Sequence, residues 1–501
     1  MIILEIFHNL IFGFSVALSF QNLLYCFLGC FLGTLIGVLP GIGPLATIAM
    51  LMPITFALPP VAALIMLAGI YYGAQYGGST TSILVNLPGE TSSVITCIDG
   101  YQMARQGRAG PALAIAAIGS FFAGTVCTLI IALFGPPIAE MALKFASPEY
   151  FSLMMMGLIV AALLAPGDMV KSLAMVLMGL LLGCIGTDVD SGWRRFSFDI
   201  IELTDGIGFV VIAIGVFALG EIVANLGDPE ERSVFTSNVG SLFPSKDDIK
   251  RSVGPIIRGT MLGAFFGVLP GTGPAIASFS SYMIEKKAAK DPSRFGKGAI
   301  EGVAGPEAAN NADAQCKFIP MLTLGIPASG TMALMLGALM IHGIAPGPTV
   351  MTQRPDLFWG LIVSMWLGNV MLLILNLPLI GLWVSLLKVP YRLLFPGIMV
   401  FSCIGIYSLN NSPFELYLTA LFGLFGFLWM KLECSPVPLM LGFVLGPMME
   451  ENLRRAMLIS RGNPMVFLTR PISLAFVIVT ILVIIVMAAP ALRKRRGVIT
   501  G

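Results

Sequence analysis

The sequence contains little charge for its length. Of its 501 residues, 11% are Asp, Glu, Lys or Arg, whereas 56% are hydrophobic and the mean hydropathy is +0.90. Soluble domains usually carry about 25% charged residues. Because a chain this apolar cannot cover a water-exposed surface with polar groups, the composition excludes a soluble enzyme, a disordered protein and a disulfide-framed secreted domain.

Histidine is nearly absent, and the cysteines form no metal-binding pattern. The chain has two histidines, His8 and His342, and its eight cysteines include no CxxC pair. We therefore expect no zinc or haem site. There is no P-loop, no Ser/His/Asp set and no carboxylate dyad, so we expect no enzymatic activity. The net charge of +2 offers no broad basic footprint, so we expect no nucleic-acid partner.

Apolar segments fill most of the chain, and many are interrupted. A membrane-spanning helix needs about 20 apolar residues, whereas 56 glycines and 33 prolines divide several candidate segments here. Broken backbone at membrane depth is tolerated only where protein buries it or a wet cavity faces it. The sequence therefore predicts an all-α polytopic membrane protein with about 12 transmembrane helices, some of them broken or re-entrant. No Lys or Arg precedes the first apolar run, so no cleavable signal peptide is expected.

An internal repeat divides the chain into two halves. The frame GxxxGVLPGxGP at Gly33–Pro44 recurs at Gly263–Pro274, and the break at Leu87–Ser92 recurs at Ile326–Thr331. Two matches in the same order predict a two-fold repeat. The predicted boundaries are 1–227 for the first membrane repeat, 228–252 for a polar cytoplasmic linker, 253–470 for the second repeat, and 471–501 for the last transmembrane helix and a basic tail.

The positive charges predict that the two repeats are inverted. No Lys or Arg precedes Arg105, whereas lysines and arginines flank the second copy on both sides. Since Lys and Arg in short loops stay cytoplasmic, the first copy should face outward and the second inward, as in many secondary transporters. The arginines from Arg454 to Arg470 disagree with this count. Either 437–448 is re-entrant or the count is off by one span there.

The Pro-Gly-x-Gly-Pro breaks predict sites for anions. Each ends one helix and starts another, whose free N–H groups and positive dipole end attract anions. The second pair of breaks adds hydroxyl groups, and Lys317 can either pair with an anionic substrate or extend to the membrane interface. The predicted substrate-binding residues are Gly41, Gly43, Asn86, Gly89, Thr91, Ser92, Gly271, Gly273, Lys317, Ser329, Gly330 and Thr331.

Hydroxyl, amide and carboxylate oxygens predict an ion site. They cluster in the run Ser79–Ser82 and in the patch Gly305–Asp313. Such oxygens are suitable ligands for Na⁺, and a carboxylate can also carry a proton. The alternatives are helix packing by small residues for the run and a solvated, capping-rich loop for the patch. The predicted ion-binding residues are Ser79, Thr80, Ser82, Asn310, Asn311, Asp313 and Thr323.

Several motifs resemble one transporter family. They are GVLPGxGP in both halves, the stretch Tyr76–Gly89, DGYQMARQGRAG at Asp99–Gly110, GPEAANNA at Gly305–Ala312, FIPMLTLGIP at Phe318–Pro327 and LGFVLGPMMEENLRRA at Leu441–Ala456. Together they resemble the large permease subunit of the tripartite tricarboxylate transporters (TctA type). The sequence departs from that pattern at Lys317 and Ala328, which leaves the particular substrate open.

The resemblance implies a multi-pass permease of the bacterial inner membrane. It also implies a small membrane subunit (TctB type) and a periplasmic solute-binding protein (TctC type). Uptake of tri- or dicarboxylates, or of related organic acids, would be driven by a Na⁺ or H⁺ gradient rather than by ATP. No cofactor is expected other than a bound Na⁺. The alternatives are an uncoupled anion channel and an intramembrane enzyme, for which no catalytic group is found.

Overall fold

The computed structural model describes residues 2–39, 43–165, 167–188, 191–226, 239–269, 272–387 and 391–499. Over these ranges the chain is predominantly helical. A two-residue strand pair, β1 (Gly186–Thr187) and β2 (Arg194–Arg195), forms one small antiparallel hairpin. The all-α prediction is confirmed.

The first half contains two long helices among several shorter ones. The π-helical stretch Ile214–Leu219 joins the last two helices of this half into one continuous helix. In chain order they are α1 (Ile2–Ala17), α2 (Phe20–Gly37), α3 (Pro44–Thr55), α4 (Pro60–Val85), α5 (Val94–Arg105), α6 (Ala109–Ala142), α7 (Ser147–Leu164), α8 (Met169–Gly183), α9 (Phe209–Ala213) and α10 (Gly220–Leu226).

The second half repeats the alternation of long and short helices. In chain order these are α11 (Lys246–Val268), α12 (Pro274–Ala288), α13 (Glu301–Cys316), α14 (Phe318–Leu324), α15 (Gly330–Ile341), α16 (Thr349–Gln353), α17 (Pro355–Asn376), α18 (Ile380–Leu386), α19 (Tyr391–Asn410), α20 (Pro413–Lys431), α21 (Val437–Ile459), α22 (Val466–Thr469) and α23 (Pro471–Ile499).

Five of the described helices are long and apolar enough to cross a membrane individually, and they make the chain a multi-pass membrane protein. Several other apolar helices have only 10–17 residues. The count of about 12 transmembrane helices stays a prediction, because these short helices do not span alone. The five are Phe20–Gly37, Ala109–Ala142, Ser147–Leu164, Pro355–Asn376 and Pro413–Lys431.

Local chemistry explains where the broken helices stop and start. Helix α4 ends at Asn86 and α14 ends at Gly325, both in the left-handed region with φ of 58° and 70°. Asparagine and glycine adopt that conformation at the lowest cost. Helices α3 and α12 begin at Pro44 and Pro274, since proline suits the first turn, where its missing N–H is not needed.

Glycine ladders hold two helix pairs in close contact. A Cβ added to Gly33 would lie 2.3 Å from the carbonyl oxygen of Ile70, and one added to Gly263 would lie 2.2 Å from that of Ala309. The backbones of α2 and α4, and of α11 and α13, therefore approach too closely for any larger residue. The same four-residue spacing continues at Gly29, Gly37, Gly259 and Gly267.

Helices α4 and α13 cross in opposite directions. Ser79 contacts Glu307, whereas Tyr72, earlier on α4, packs its ring 6.0 Å from that of Phe318, just beyond α13. The contact that lies earlier on α4 is therefore the one that lies later along the chain at α13, so the two helices are antiparallel where they meet.

Six of the chain's twelve lysines lie on one face of the protein. The Gln106 amide donates to Lys297 O at 2.7 Å, and Gly110 N–H donates to Val239 O at 3.0 Å. The loops after α5, before α11 and after α12 therefore lie together. We call this the basic face, defined by Arg105, Arg108, Lys246, Lys250, Arg251, Lys286, Lys287, Lys290, Arg294 and Lys297.

The later arginines lie at the other end of the long helix α6. The 34 residues of α6 extend about 51 Å from the basic face. Arg470 pairs at 2.5 Å with Glu149, which lies just beyond the far end of α6. Arg454 pairs with Asp188 and with Glu450. The re-entrant alternative for 437–448 is wrong, because α21 continues without a break to Ile459.

Two predicted polar stretches are more helical than the sequence indicated. Helix α11 begins at Lys246, so the end of the predicted linker 228–252 belongs to a helix. The patch from Gly305 to Asp313 lies inside α13, where every residue from Gly302 to Cys316 is buried. The solvated-loop alternative for this patch is therefore wrong. The linker residues 227–238 lie outside the described residues.

Candidate functional site

Three helix N-termini border one cavity of about 530 Å³. They are the starts of α3 at Gly43, of α12 at Gly273 and of α15 at Ser329, which act as the N-cap residues of their helices. The break between α4 and α5 supplies a further wall through Gly89 and Thr91. The two halves of the chain therefore meet at a common space.

The helix starts present backbone N–H groups at this cavity. In α3 the first N–H to bond within the helix is that of Thr47, to Gly43 O at 3.0 Å. The N–H groups of Leu45 and Ala46 precede it and have no intrahelical acceptor. In α15 the Ser329 hydroxyl accepts from Met332 N–H at 3.3 Å. Free N–H groups combined with positive dipole ends favour bound anions.

The cavity has acidic but no basic side chains in its lining. Glu90 and Glu221 are among the described residues that border it, and none of those residues is Lys, Arg or His. Backbone N–H groups and hydroxyls are therefore the groups available here to hold an anionic ligand. Glu90 is only 9% exposed, and a carboxylate buried to that extent needs a proton, hydrogen-bond donors or a cation nearby.

Glu90 joins the break to the second half of the chain. Its carboxylate accepts from the Ser92 hydroxyl at 2.5 Å and from the Asn310 amide at 3.1 Å. With its amide turned to donate, Gln75 of α4 also reaches Glu90 Oε2, at 2.9 Å. The hydrogen bonds of the Glu90 carboxylate therefore connect α4, α13 and the segment between α4 and α5.

Glu307 forms a second buried cluster, deeper between α4 and α13. It is 1% exposed and accepts from the Ser79 hydroxyl at 2.6 Å and from the Thr96 hydroxyl. On the following turn, the Asn311 amide donates to Ser120 of α6 at 2.7 Å. Hydrogen bonds from neutral groups thus stabilise this carboxylate.

Lys317 forms a buried ion pair with Asp313, one turn earlier on the same stretch of helix. Both side chains are 0% exposed. The alternative in which Lys317 extends to the membrane interface is therefore wrong. Lys317 also does not line the cavity, so its charge is matched within the protein.

Most predicted substrate-binding residues lie around the cavity. Asn86 does not, because it is exposed and terminates α4, and Ser92 acts on Glu90 instead of lining the space. Gly41 and Gly271 lie outside the described residues. The residues in the lining are Gly43, Gly89, Thr91, Gly273, Ser329, Gly330 and Thr331.

The predicted ion-binding residues fall into separate places. Ser79 and Thr80 border a small pocket of about 20 Å³ beside Glu307. Asn310 and Asn311 belong to the hydrogen-bond network described above, and Asp313 is paired with Lys317. The hydroxyls of Ser82 and Thr323 donate to the carbonyls of Gly78 and Ile319 in their own helices, so the structure does not bring these two into the cluster.

Four acidic or amide side chains beside these pockets were not among the individually predicted site residues. Gln75, Glu90 and Glu221 border the cavity, and Glu307 borders the small pocket. Glu90 and Glu307 stand inside the quoted motifs, and all three carboxylates fall within or beside apolar segments. An ionisable residue at membrane depth is a signal of function by itself, and it was available in the sequence.

Comparisons with known proteins identify the family of this chain. The model of the "Tripartite tricarboxylate transporter TctA family" matches residues 23–441. An uncharacterised 52.8 kDa protein in the TAR-I ttuC' 3' region of Agrobacterium vitis is 58% identical over 493 residues, covering 98% of both chains. An uncharacterised protein in the TAR-II ttuC' 3' region of the same organism is 56% identical over 234 residues, covering 47% of this chain and 97% of its own.

No solved structure matches this chain. The family match covers most of the sequence and includes both glycine-proline breaks, the buried break at Glu90 and the helix that carries Glu307. The chain therefore belongs to the tripartite tricarboxylate transporter TctA family, a family of membrane transporters.

Proposed function

We propose that this chain is the large transmembrane subunit of a secondary transporter that imports tri- or dicarboxylates or related organic acids. Import would depend on a periplasmic solute-binding protein of the TctC type and on a small membrane subunit of the TctB type. A Na⁺ or H⁺ gradient would drive it. The transporter would lie in the bacterial inner membrane, with the basic face in the cytoplasm.

The observation that carries this proposal is the meeting of three helix N-termini at one cavity. The starts of α3, α12 and α15 border a space of about 530 Å³, within the usual size range of small-ligand sites. Each carboxylate of a substrate with several such groups can bind at a different helix N-terminus, beside the hydroxyls of Thr91, Ser329 and Thr331. That geometry favours organic acids with two or three carboxylates.

The charge around the cavity supports coupling to a cation. Glu90 and Glu221 border it and Glu307 lies near it, with no basic side chain in the cavity lining. An anionic substrate entering beside ionised carboxylates would be repelled. Binding of Na⁺ or H⁺ together with the substrate removes this repulsion and links the two bindings.

We further infer that the two halves are inverted repeats. The glycine ladders of α2 with α4 and of α11 with α13 have the same spacing, and α4 and α13 are antiparallel where they cross. Both features are expected of two similar units inserted in opposite directions. Movement of one unit against the other would open the cavity to each side of the membrane in turn.

Transport into proteoliposomes tests the proposal. The purified chain is reconstituted with the small subunit and the solute-binding protein, and labelled tri- and dicarboxylates are supplied with and without an imposed Na⁺ or H⁺ gradient. We expect uptake that requires the binding protein and rises with one of the two gradients.

The controls separate the proposal from its main alternative. Omitting the solute-binding protein should abolish uptake, and collapsing the gradient with an ionophore should return it to background. Uptake that ignores both gradients and the binding protein would instead indicate an uncoupled anion channel. An absence of carboxylate uptake under all conditions would remove carboxylates as the substrate class.

A further inference from the structure

A small pocket lies beside the substrate cavity, between α4, α6, α13 and the end of α17. Its volume of about 20 Å³ is enough for one water molecule or one small ion. Its polar lining consists of side chains that present oxygen atoms, namely Tyr76, Ser79, Thr80, Ser120, Glu307 and Asn376. The rest of the lining is aliphatic, so the pocket has a defined polar side.

Two of these oxygen atoms have no hydrogen-bond partner among the described residues. They are the Tyr76 hydroxyl and Asn376 Oδ1, on side chains that are 4% and 5% exposed. The Asn376 amide nitrogen already donates to Leu372 O at 2.9 Å, so Oδ1 is the atom left to accept. Buried polar atoms without partners are costly and usually mark a bound water or ion.

The pocket also holds one carboxyl group, that of Glu307. Glu307 accepts from Ser79 and Thr96, which are neutral, and no ion pair involving Glu307 occurs in the part of the chain that the structure describes. Ser120 accepts from the Asn311 amide at 2.7 Å, which directs one lone pair away and leaves another for a ligand. One carboxylate with several neutral oxygens is a ligand set for a hard cation of low charge.

We propose that this pocket binds one Na⁺ ion, held by Glu307 together with the hydroxyl oxygens of Ser79, Thr80 and Ser120 and the amide oxygen of Asn376. A divalent ion would call for more than one carboxylate. The inference rests on the proposed function only in identifying this ion as the coupling ion. Binding of the ion itself does not depend on transport.

The position of the pocket explains how the ion acts on the substrate cavity. Ser79 lies one turn beyond Gln75 on α4, and Glu307 lies one turn before Asn310 on α13. Gln75 borders the substrate cavity, and Asn310 donates to Glu90, which borders it as well. An ion bound by Ser79 and Glu307 at the same time connects α4 to α13 and therefore stabilises the cavity wall formed by the same two helices.

Thermal unfolding of the purified full chain in detergent tests ion binding without substrate or partner subunits. NaCl is titrated against choline chloride at constant ionic strength, and the Na⁺ affinity is also measured by isothermal titration calorimetry. We expect Na⁺ to raise the unfolding midpoint in a saturable way. Glu307→Gln and Ser79→Ala should each weaken the Na⁺ affinity by about tenfold or more.

Two variants serve as matched controls. Glu301→Gln removes a carboxylate from the same helix at the basic face, and Ser82→Ala removes a hydroxyl three residues beyond Ser79 but outside the pocket. Both should keep the Na⁺ affinity of the unchanged chain. If Glu307→Gln does not fold, Ser79→Ala and Ser120→Ala carry the test.

The outcomes distinguish this site from the proposed function. Equal Na⁺ affinity in Ser79→Ala, Glu307→Gln and the unchanged chain overturns the site even if uptake is driven by Na⁺. No stabilisation by Na⁺ relative to choline also overturns it. Na⁺ binding that is lost only in the pocket variants supports the site even if carboxylate uptake is never observed.

Discussion

Asn310 donates a hydrogen bond of 3.1 Å to the Glu90 carboxylate, and this contact joins the buried helix α13 to the break between α4 and α5. The two residues are 220 positions apart in the chain. The hydrogen bond therefore connects the two halves at the wall of the cavity where three helices begin.

The glycine ladders should not tolerate a methyl group. Gly33→Ala and Gly263→Ala would each place a Cβ less than 2.5 Å from a backbone oxygen of the neighbouring helix. Forcing such helices apart costs about 1–3 kcal/mol, so the thermal unfolding midpoint in detergent should fall. Gly381→Ala is the control, because that glycine lies in α18 with nothing near the added Cβ. A loss in the control as large as in the ladder would contradict the packing argument.

Loss of the Ser329 hydroxyl should weaken the start of α15. Ser329→Ala removes the acceptor of Met332 N–H, which typically costs about 1 kcal/mol of stability. Because the same residue borders the cavity, uptake by the reconstituted transporter should show a higher KM for the carboxylate. Ser385→Ala, on an exposed turn of α18, should leave both quantities unchanged. An unaltered KM in Ser329→Ala would remove this residue from the substrate site.

Asp99 should be indispensable to the loop at the basic face. Its Oδ1 accepts from the N–H groups of Gly296, Gly298 and Ala299 at 2.8–2.9 Å, and Tyr282 donates to its Oδ2 at 2.9 Å. Asp99→Ala leaves two buried donors, Ala299 N–H and the Tyr282 hydroxyl, without this partner, at a cost on the order of 3 kcal/mol.

The readouts for Asp99→Ala are limited proteolysis of the loop 290–300 and the unfolding midpoint. We expect faster cleavage and a lower midpoint than in the unchanged chain. Asp291→Ala, in the same loop but exposed and bonded only locally to Ser293, is the control. Equal cleavage of the two variants would contradict a special role for Asp99.

The ion pair between Arg108 and Asp248 should make stability depend on pH. Burial raises the pKa of Asp248, but hydrogen bonds from Ser245 and from the Arg108 guanidinium outweigh it and bring the pKa below its ordinary value. A carboxyl whose pKa is lower in the folded state contributes stability above its unfolded pKa. It loses that contribution as the pH falls through the folded pKa.

Asp248→Asn should therefore lower the unfolding midpoint at neutral pH, and the difference from the unchanged chain should shrink as the pH falls below 4. Here pH 4 is about the pKa of an unfolded aspartate. Asp247→Asn is the matched control, since that neighbouring side chain is 63% exposed and pairs only with Arg251 one turn on. A difference for Asp248→Asn that stays constant across this pH range would exclude the ion pair as its cause.

Much of the candidate site was readable in the sequence because its backbone geometry depends on local chemistry. Pro44 and Pro274 begin helices, and Ser329 is an N-cap, for reasons that involve only neighbouring residues. The repeat of the glycine-proline frame also indicated that two such starts belong together. For the same reason Asn86 was misassigned, because its chemistry suits a helix end as well as a binding site.

Burial was harder to read from the sequence. The patch from Gly305 to Asp313 has the composition of a solvated loop, yet it forms a buried helix because α4, α6, α11 and α12 surround it. Lys317 likewise became a buried partner of Asp313. A polar residue in such a patch reveals its partner only when helices distant in the chain are packed against it.

The sequence by itself determined that the chain is a membrane protein and that its helices are broken at paired glycine-proline positions. It also determined which transporter family the chain resembles. Each of these results depends on composition or on short motifs. Only the tertiary structure decided that three of the helix starts open on one cavity and that Glu90 and Glu307 lie between the two halves. Contacts between residues more than 200 positions apart are set by the packing of whole helices, which no short stretch of sequence specifies.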